Sequence, residues 1–555
     1  MATDAATRPA DRSIICPSWL KCLLATATGI ALALPFLYPQ LYLLTWIAFV
    51  PLLIATHTSS ALNGYLWGFV SGLVFYYLAA YWIADFFSLF KGYSATQSQL
   101  AAILFWIYCA QLPALLFASF RCLVNRFQAP AILAFPALVA VFYAHFPMMF
   151  PVQLGESQSY FPAALQAISV TGVHGLDAVI ALTNLTLAYW TIRWLAHRTL
   201  TPSRQNLAAV VVVGLWLAFG VYSHHQWERH QANWASLTIG LVQPNEYPDT
   251  GIPPVYRGFS RGHPPEMAMT EHLAANGADL VIWPEARFKG YFSQPHVAEA
   301  YRHQIAALGI PLLFQDMEPA PTPEGRRQRH FNAVKLLDAD GEPAGHYRKV
   351  KRVAFGETLP VVEHIQPLRT WLESYLGDFF HEIAAGDLPN EFHANGLSLV
   401  PLICYETLFP AFTARGAAIP PSQSQHQSQR ILIGLSSNAW FGHTRQPYQH
   451  LHTSRLRAVE NRLPMVHVMN NGPSAVILPS GRLSFETPFD TAGGFLTEVP
   501  LPPAAGSSFF GRYPYGFITM CYILLVALLI RSCLRPAIRS VANRLHQSPD
   551  AAVLD

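Results

Sequence analysis

Three short segments of this chain hold the residue types that thiol attack on a carbonyl requires. Cys404 stands in Leu402-Ile403-Cys404-Tyr405-Glu406, and Glu285 ends Trp283-Pro284-Glu285. Lys349 lies in Tyr347-Arg348-Lys349-Val350-Lys351-Arg352-Val353-Ala354-Phe355-Gly356-Glu357. A thiol needs a base to become a nucleophilic thiolate. The carbonyl it attacks needs a positive or hydrogen-bonding group where negative charge develops on oxygen. Glutamate, lysine and cysteine can fill these roles without histidine, metal or cofactor. Each fragment alone is a weak signal, since carboxylates at strand ends are commonplace. Cys404 is the one cysteine of seven away from the long apolar stretches and their flanks, and no other thiol falls between His224 and Arg512. A disulfide inside that region is therefore impossible, and the lack of partners argues against a cysteine-built zinc site. Two readings of the lone thiol stay open at this level: a buried filler, or a nucleophile presented at a strand end.

The elements that must position these residues begin near Trp234. Thr238–Gln243 reads as a strand, Pro265–Asn276 as an amphipathic helix, and Asp279–Trp283 as the strand leading into Glu285. A helix over Tyr301–Leu308 and a strand over Ile310–Gln315 follow. Ala333–Asp338 and Gly345–Lys349 flank Asp340-Gly341, a hairpin signal. Leu397–Cys404 and Ile431–Ser436 read as strands, Arg455–Asn461 as a helix, and Met465–Met469 and Ala475–Leu478 as closing strands. Alternating strands and helices imply a layered α/β domain. The Pro/Ser/Gln-rich stretch Pro420–Arg430 reads as a surface loop. Pro367–Ile383 interleaves Trp371, Tyr375, Leu376, Phe379 and Phe380 with acidic residues, and reads either as a lid or lipid-touching arm or as an ordinary packed helix.

The rest of the chain is of another kind. Of 555 residues, 52% are hydrophobic and 12% charged, and the net charge is +3, which gives no sign of a nucleic-acid partner. Apolar runs near the length that crosses a bilayer occur at about 18–37, 39–56, 61–87, 97–120, 129–149, 173–192, 207–223 and 513–530. No small-residue cleavage site follows the first. With the N-terminus in the cytoplasm, the cytoplasmic segments hold Arg8, Arg12, Arg121, Arg126, Arg193, Arg198, Arg204, Arg531, Arg535, Arg539 and Arg544. The short loops opposite hold little beyond Lys91, as the positive-inside rule asks. The expected division is 1–223 membrane domain with seven crossings, 224–512 polar domain on the far side, 513–531 an eighth crossing, and 532–555 a basic tail. An unpaired thiol on the oxidising side of a membrane is a liability, which shifts the weight from packing towards chemistry.

In this order and spacing, the three segments resemble the nitrilase, or carbon–nitrogen hydrolase, superfamily with its Glu–Lys–Cys triad. Ser437-Asn438-Ala439-Trp440-Phe441-Gly442, Pro447-Tyr448-Gln449-His450-Leu451, Arg455–Glu460 and Asn470–Ala475 extend the likeness. With seven crossings before the domain and one after, the chain is similar to the bacterial apolipoprotein N-acyltransferases. That resemblance implies a polytopic helical membrane domain plus an α-β-β-α sandwich. It makes Glu285 the general base, Lys349 the oxyanion stabiliser and Cys404 the nucleophile, with no cofactor and no metal. Lys351 and Lys335 are rival lysines, but only Lys349 falls at the family's position. Glu357 and Glu406 match supporting glutamates, or else serve as structural ion-pair partners, and Tyr405 and Asn438 match pocket walls.

The implied reaction moves a fatty acyl chain from a membrane phospholipid, through a Cys404 thioester, to the N-terminal amine of a diacylated apolipoprotein. It would run at the bacterial inner membrane with the polar domain in the periplasm. Alternatives are another amine acceptor, a membrane-tethered amidase or nitrilase, or a silent scaffold. The chain departs from the family at Ala354, where proline is usual, and at Pro244-Asn245 in place of Gly-Asn. It has Ile252 where a tryptophan is usual, and Arg287, Lys289 and Tyr291 after the glutamate. These departures bear on donor or acceptor identity and leave the triad intact.

Overall fold

The computed structural model describes residues 16–546 apart from 199–202, 232, 248–251, 287, 322–327, 360–361, 363–364, 377–381, 388–390, 395, 419–428 and 504–506. Arg8, Arg12, Arg287, Phe379, Phe380 and most of the Pro420–Arg430 stretch lie outside the described residues. So do the side chains of Lys91, Tyr375, Leu376, Arg535, Arg539 and Arg544.

Among the described residues, twelve strands form two six-stranded sheets. The first holds β1 (Ala235–Gln243), β2 (Leu280–Ile282), β3 (Leu312–Ala320), β4 (Arg329–Leu337) and β5 (Pro343–Arg348). The second runs through β6 (Phe392–Ala394), β7 (Leu397–Ile403), β8 (Gln429–Ser436), β9 (Met465–Met469), β10 (Ala475–Ile477) and β11 (Leu483–Glu486). The chain then returns as β12 (Gly493–Leu501), antiparallel to β1, to close the first sheet in the order β12-β1-β2-β3-β4-β5. The second sheet keeps the order β11-β10-β9-β8-β7-β6. The central strands are parallel, with Ile239 opposite Leu280 and Leu399 opposite Ile431.

Alternation along these strands explains the layers. Ile239, Leu241, Ile282 and Leu313 meet Leu399, Ile403, Ile431 and Val468 between the sheets. The intervening residues point outward. Val242, Val281 and Trp283 pack under helices 265–275 and 295–308. Val400, Leu402 and Leu432 pack under helices 410–417 and 446–461. The result is the expected α-β-β-α sandwich.

Among the described residues, six helices are long and apolar enough to cross a membrane: 18–37, 39–56, 95–125, 173–197, 204–231 and 516–534. The run that reads as one crossing at 61–87 is a pair, 61–79 and 83–90, bent by 54°. The run at 129–149 yields a shorter helix, Ala131–His145. Helix 61–79 lies close against 111–125 because Gly64, Gly68 and Gly72 face it. A Cβ on Gly68 would stand 2.5 Å from the Pro113 carbonyl oxygen, so small residues set the approach of the two backbones.

Contacts between the parts fix the directions of these helices. Gln449 Nε2 donates to the Phe36 and Ala79 carbonyls, and the Val173 amide donates to Glu460. The C-terminal ends of 18–37 and 61–79 and the N-terminal end of 173–197 therefore face the sheets. At the opposite ends, Arg121 and Asn125 donate to the Ser59 carbonyl.

Candidate active site

The thiol is presented by a break in backbone geometry. β7 ends at Ile403, and Cys404 takes φ +51°, in the left-handed region, before the short turn Cys404–Leu408. A non-glycine residue holds that conformation only when its surroundings over-determine it. Glu406 supplies the constraint. One of its carboxylate oxygens accepts from the Ile403 amide at 2.8 Å. The other accepts from the Tyr347 hydroxyl at 2.7 Å, the Val350 amide at 2.7 Å and the Lys351 amide at 3.0 Å. One fully buried carboxylate thus staples the backbone beside Lys349 to the backbone beside Cys404.

Lys349 follows directly on β5, with its amide donating to the Asn332 carbonyl at 2.8 Å. Its side chain is fully buried, and Nζ donates to Glu357 Oε1 at 2.8 Å. The other Glu357 oxygen accepts from the Val353 amide at 2.8 Å. Burial disfavours the charge on Lys349, but Glu357, Cys404 and Glu285 together outweigh burial and raise its pKa. It is an ammonium at any working pH. The rival lysines go elsewhere. β5 stops at Arg348, so Lys351 does not continue the Lys349 strand face; its ammonium lies 5.2 Å from the Phe409 ring centroid. Lys335 is paired in the β4–β5 ladder opposite His346.

Glu285 follows β2 and lines the same cavity as Cys404, where the two side chains act on each other's pKa. Asn332 Nδ2 donates to Glu285 Oε1 at 2.6 Å. Gln315 Nε2 donates to Asn332 Oδ1 at 3.0 Å, which fixes which end of the Asn332 amide faces the carboxylate. Burial raises the Glu285 pKa and Lys349 pulls it back; Glu357 adds to the rise, and the Asn332 and Cys404 hydrogen bonds reduce it. Burial pushes the Cys404 thiol up to about 12, with the Glu285 charge adding to the rise and Lys349 opposing it. The thiol is therefore disfavoured from ionising by itself and needs a base beside it. When the carboxylate takes the proton, its repulsion of the thiolate vanishes with it.

Cys404, Glu285, Glu357 and Tyr405 line one cavity of about 590 Å³. Much of the remaining wall is aromatic: Phe86, Phe90, Phe150, Trp440 and Phe441. Phe86 stacks on Phe441 with centroids 5.3 Å apart, and Phe90 meets Trp440 edge-on at 4.6 Å. Three of these five rings come from the helical part of the chain. Asn438, expected in the wall, stands behind it. Its Oδ1 pairs with His450 Nδ1 at 3.1 Å, and it is His450 that lines the cavity. Burial pushes His450 down to about 4, so its ring is neutral at pH 7.

Residues 28–186 match the family described as Apolipoprotein N-acyltransferase N-terminal domain, and residues 238–504 match Carbon-nitrogen hydrolase. An apolipoprotein N-acyltransferase of Geobacter metallireducens is 29% identical over 513 residues, covering 90% of this chain and 92% of that one. Its namesake in Rhodopseudomonas palustris is 34% identical over 227 residues, 40% of each chain. The chain belongs to the apolipoprotein N-acyltransferase family, within the carbon–nitrogen hydrolases. A crystal structure of an amidase from Nesterenkonia sp. is also similar, at 18% identity and TM-score 0.33, covering 48% of this chain and 90% of that one.

The departures from the usual apolipoprotein N-acyltransferase pattern find structural places. Lys289 is buried; its amide and that of Tyr291 donate to the two oxygens of Asp316 at 2.8 and 2.7 Å, so this stretch is internal architecture. Ala354 forms a bridge with Thr358 that closes the Lys349–Glu357 loop. Asn245, at φ +56°, donates its amide to the Asn470 carbonyl at 2.7 Å. Ile252 is 69% exposed and contributes nothing to the cavity wall. Asn332, Gln315, Phe86, Phe90 and Phe150 carry no motif that singles them out in the sequence, and His450 lies in a segment of the family likeness without being picked out within it.

Proposed function

We propose that this protein N-acylates lipoproteins by two acyl transfers at Cys404, drawing the chain from a membrane phospholipid. The observation that carries the proposal is the cavity itself: the thiol and its carboxylates form one side, and aromatic rings of the membrane helices form another. A soluble amide needs no such wall; a fatty chain does.

Glu285 takes the Cys404 proton as sulfur attacks the ester carbonyl. The tetrahedral oxyanion is held by the Lys349 ammonium, whose charge Glu357 secures. Collapse breaks the ester C–O bond, Glu285 returns the proton to the departing lysophospholipid oxygen, and a Cys404 thioester remains. The amine of a diacylglyceryl-cysteine then attacks that thioester and loses its proton to Glu285. The C–S bond breaks, and the proton passes to the leaving sulfur. Amide formation from a thioester runs downhill. Glu406 acts as a positioning residue, and Tyr405 and Asn438 shape the pocket, the second through His450.

The membrane domain (1–223), the sheet domain (224–512), the last crossing and the basic tail divide the work in this reading. Arg121, Arg126, Arg193, Arg198 and Arg204 lie at helix ends away from the sheets, which supports a periplasmic sheet domain at the inner membrane.

The test is incubation of the full chain with chain-labelled phospholipid and a diacylated lipopeptide, beside Cys404→Ser. Label on the peptide amine, and an acyl group on Cys404 before acceptor is added, are expected from the parent only. Label that never reaches the amine overturns the reading, and ammonia release from a small amide without phospholipid would replace it with amidase chemistry.

A further inference from the structure

A second, open cleft of about 610 Å³ is lined by Leu37, Tyr38, Tyr77, Leu78, Tyr81 and Arg445. Two of its lining residues are followed directly in the chain by residues of, or packed on, the Cys404 cavity wall. Tyr81 lines the cleft, while the next residue, Trp82, packs edge-on against Phe441 and Phe150 of the cavity wall at 5.2 and 5.4 Å. Arg445 lines the cleft, while the next residue, Gln446, lines the cavity.

The cleft is built rather than incidental. The Arg445 amide donates to the Tyr81 hydroxyl at 3.2 Å. One residue, Gln449, accepts from Trp82 Nε1 at 3.0 Å and donates to the carbonyls of Ala79 at 3.0 Å and Phe36 at 3.4 Å. These bonds hold the ends of both helices against the sheet domain. Tyr38, Tyr77 and Tyr81 are 51%, 53% and 40% exposed there. Aromatic rings with hydroxyl tips are the side chains that settle at the headgroup level of a bilayer.

Into this aromatic rim projects one cation. The Arg445 guanidinium is exposed and lies 6.0 Å from the ring centroids of Tyr38 and Tyr448. Among the described residues no carboxylate forms an ion pair with it. A guanidinium with free donors beside hydroxyl groups matches a phosphate diester in charge and geometry. At helix ends that meet a bilayer, the phosphate within reach belongs to a lipid.

We propose that this cleft holds the phosphate of a bilayer phospholipid against Arg445, next to the cavity in which its ester would react. The binding rests on the membrane placement of these helices; its use by the enzyme rests on the phospholipid-donor reading above.

The test uses the full chain carrying Cys404→Ser, so that no acyl transfer intervenes. The probe is phosphatidylglycerol with a diazirine at the headgroup, read by mass spectrometry of peptides containing Tyr77–Tyr81 or Arg445–Tyr448. Arg445→Glu is expected to cut this cross-linking about tenfold, the effect of losing one charge-assisted contact. Arg445→Lys is expected to keep most of it. A diacylglycerol bearing the same diazirine should show no dependence on residue 445, and excess inorganic phosphate should not displace the phosphatidylglycerol probe. Equal labelling in Arg445→Glu and its parent overturns the proposal, as does equal labelling by the phosphate-free lipid or displacement by inorganic phosphate. Intact cross-linking with failed transfer to lipopeptide would sink the acyl-transfer reading and leave the cleft standing.

Discussion

The two sides of the Cys404 cavity are held together by different forces. On the sheet side, the polar groups are tightly partnered: Lys349 by Glu357, Glu285 by Asn332, and Glu406 by four donors. On the membrane side, Phe86, Phe90 and Phe150 meet Trp440 and Phe441 through ring contacts. Directional bonds fix reacting groups to within tenths of an ångström, as a proton transfer demands. Ring packing tolerates slippage and suits a flexible hydrocarbon guest. The cavity therefore separates precision from capacity.

Substitutions on the two sides should fail in different ways. The largest effect belongs to Cys404→Ser and Lys349→Met, each expected to lower lipopeptide acylation by at least about a thousandfold in the labelled-lipid assay. Next comes Glu406→Ala. It strands four buried donors and should cost about 3–5 kcal/mol, read as a fall in the thermal midpoint together with lost activity. Asn332→Ala should leave the fold in place and reduce kcat by about ten- to a hundredfold. It should also move the acid limb of the pH profile. The Asn332 donor holds the Glu285 pKa down, so removing it raises that pKa, and activity falls away at higher pH than in the parent. Phe86→Ala or Trp440→Ala should raise KM for long-chain donors by about ten- to a hundredfold, and for short chains by less. A kcat loss without that chain-length dependence would erase the contrast between the sides. Lys351→Ala should change either parameter by no more than about fivefold, since only ring contacts of about 0.5–1 kcal/mol are lost.

Much of the sheet side is legible in the sequence, because its signals are local. Short apolar runs place Glu285 and Cys404 at the ends of β2 and β7, and the Asp340-Gly341 hairpin signal places Lys349 at the end of β5. The membrane side is not legible. Phe86 and Phe90 reach the cavity only because helices 61–79 and 83–90 meet at a 54° bend, and nothing in an unbroken apolar run announces one. β12 is hidden because Gly493-Gly494 and Pro500 read as breakers, yet as an edge strand it tolerates them. Helix 446–461 shows in the sequence only from Arg455 onward. It carries histidines, arginines and Glu460 on every face, so the apolar period that marks a buried helix is missing. All its residues except Tyr448 and Gln449 are nevertheless buried, because the membrane helices and their connecting segments supply partners.

That helix also limits how the molecule can be dissected. Arg457 and Glu460 are fully buried, 2.8 Å apart, and Arg462 just beyond them binds Gln166 and Ser223 of the helical part. Excised from the chain, residues 235–501 would present this ionic seam to bulk water alongside bare aromatic rings. A truncated soluble fragment would accordingly be a poor reagent for crystallisation or inhibitor screening, whereas a reconstituted whole polypeptide keeps the seam dry.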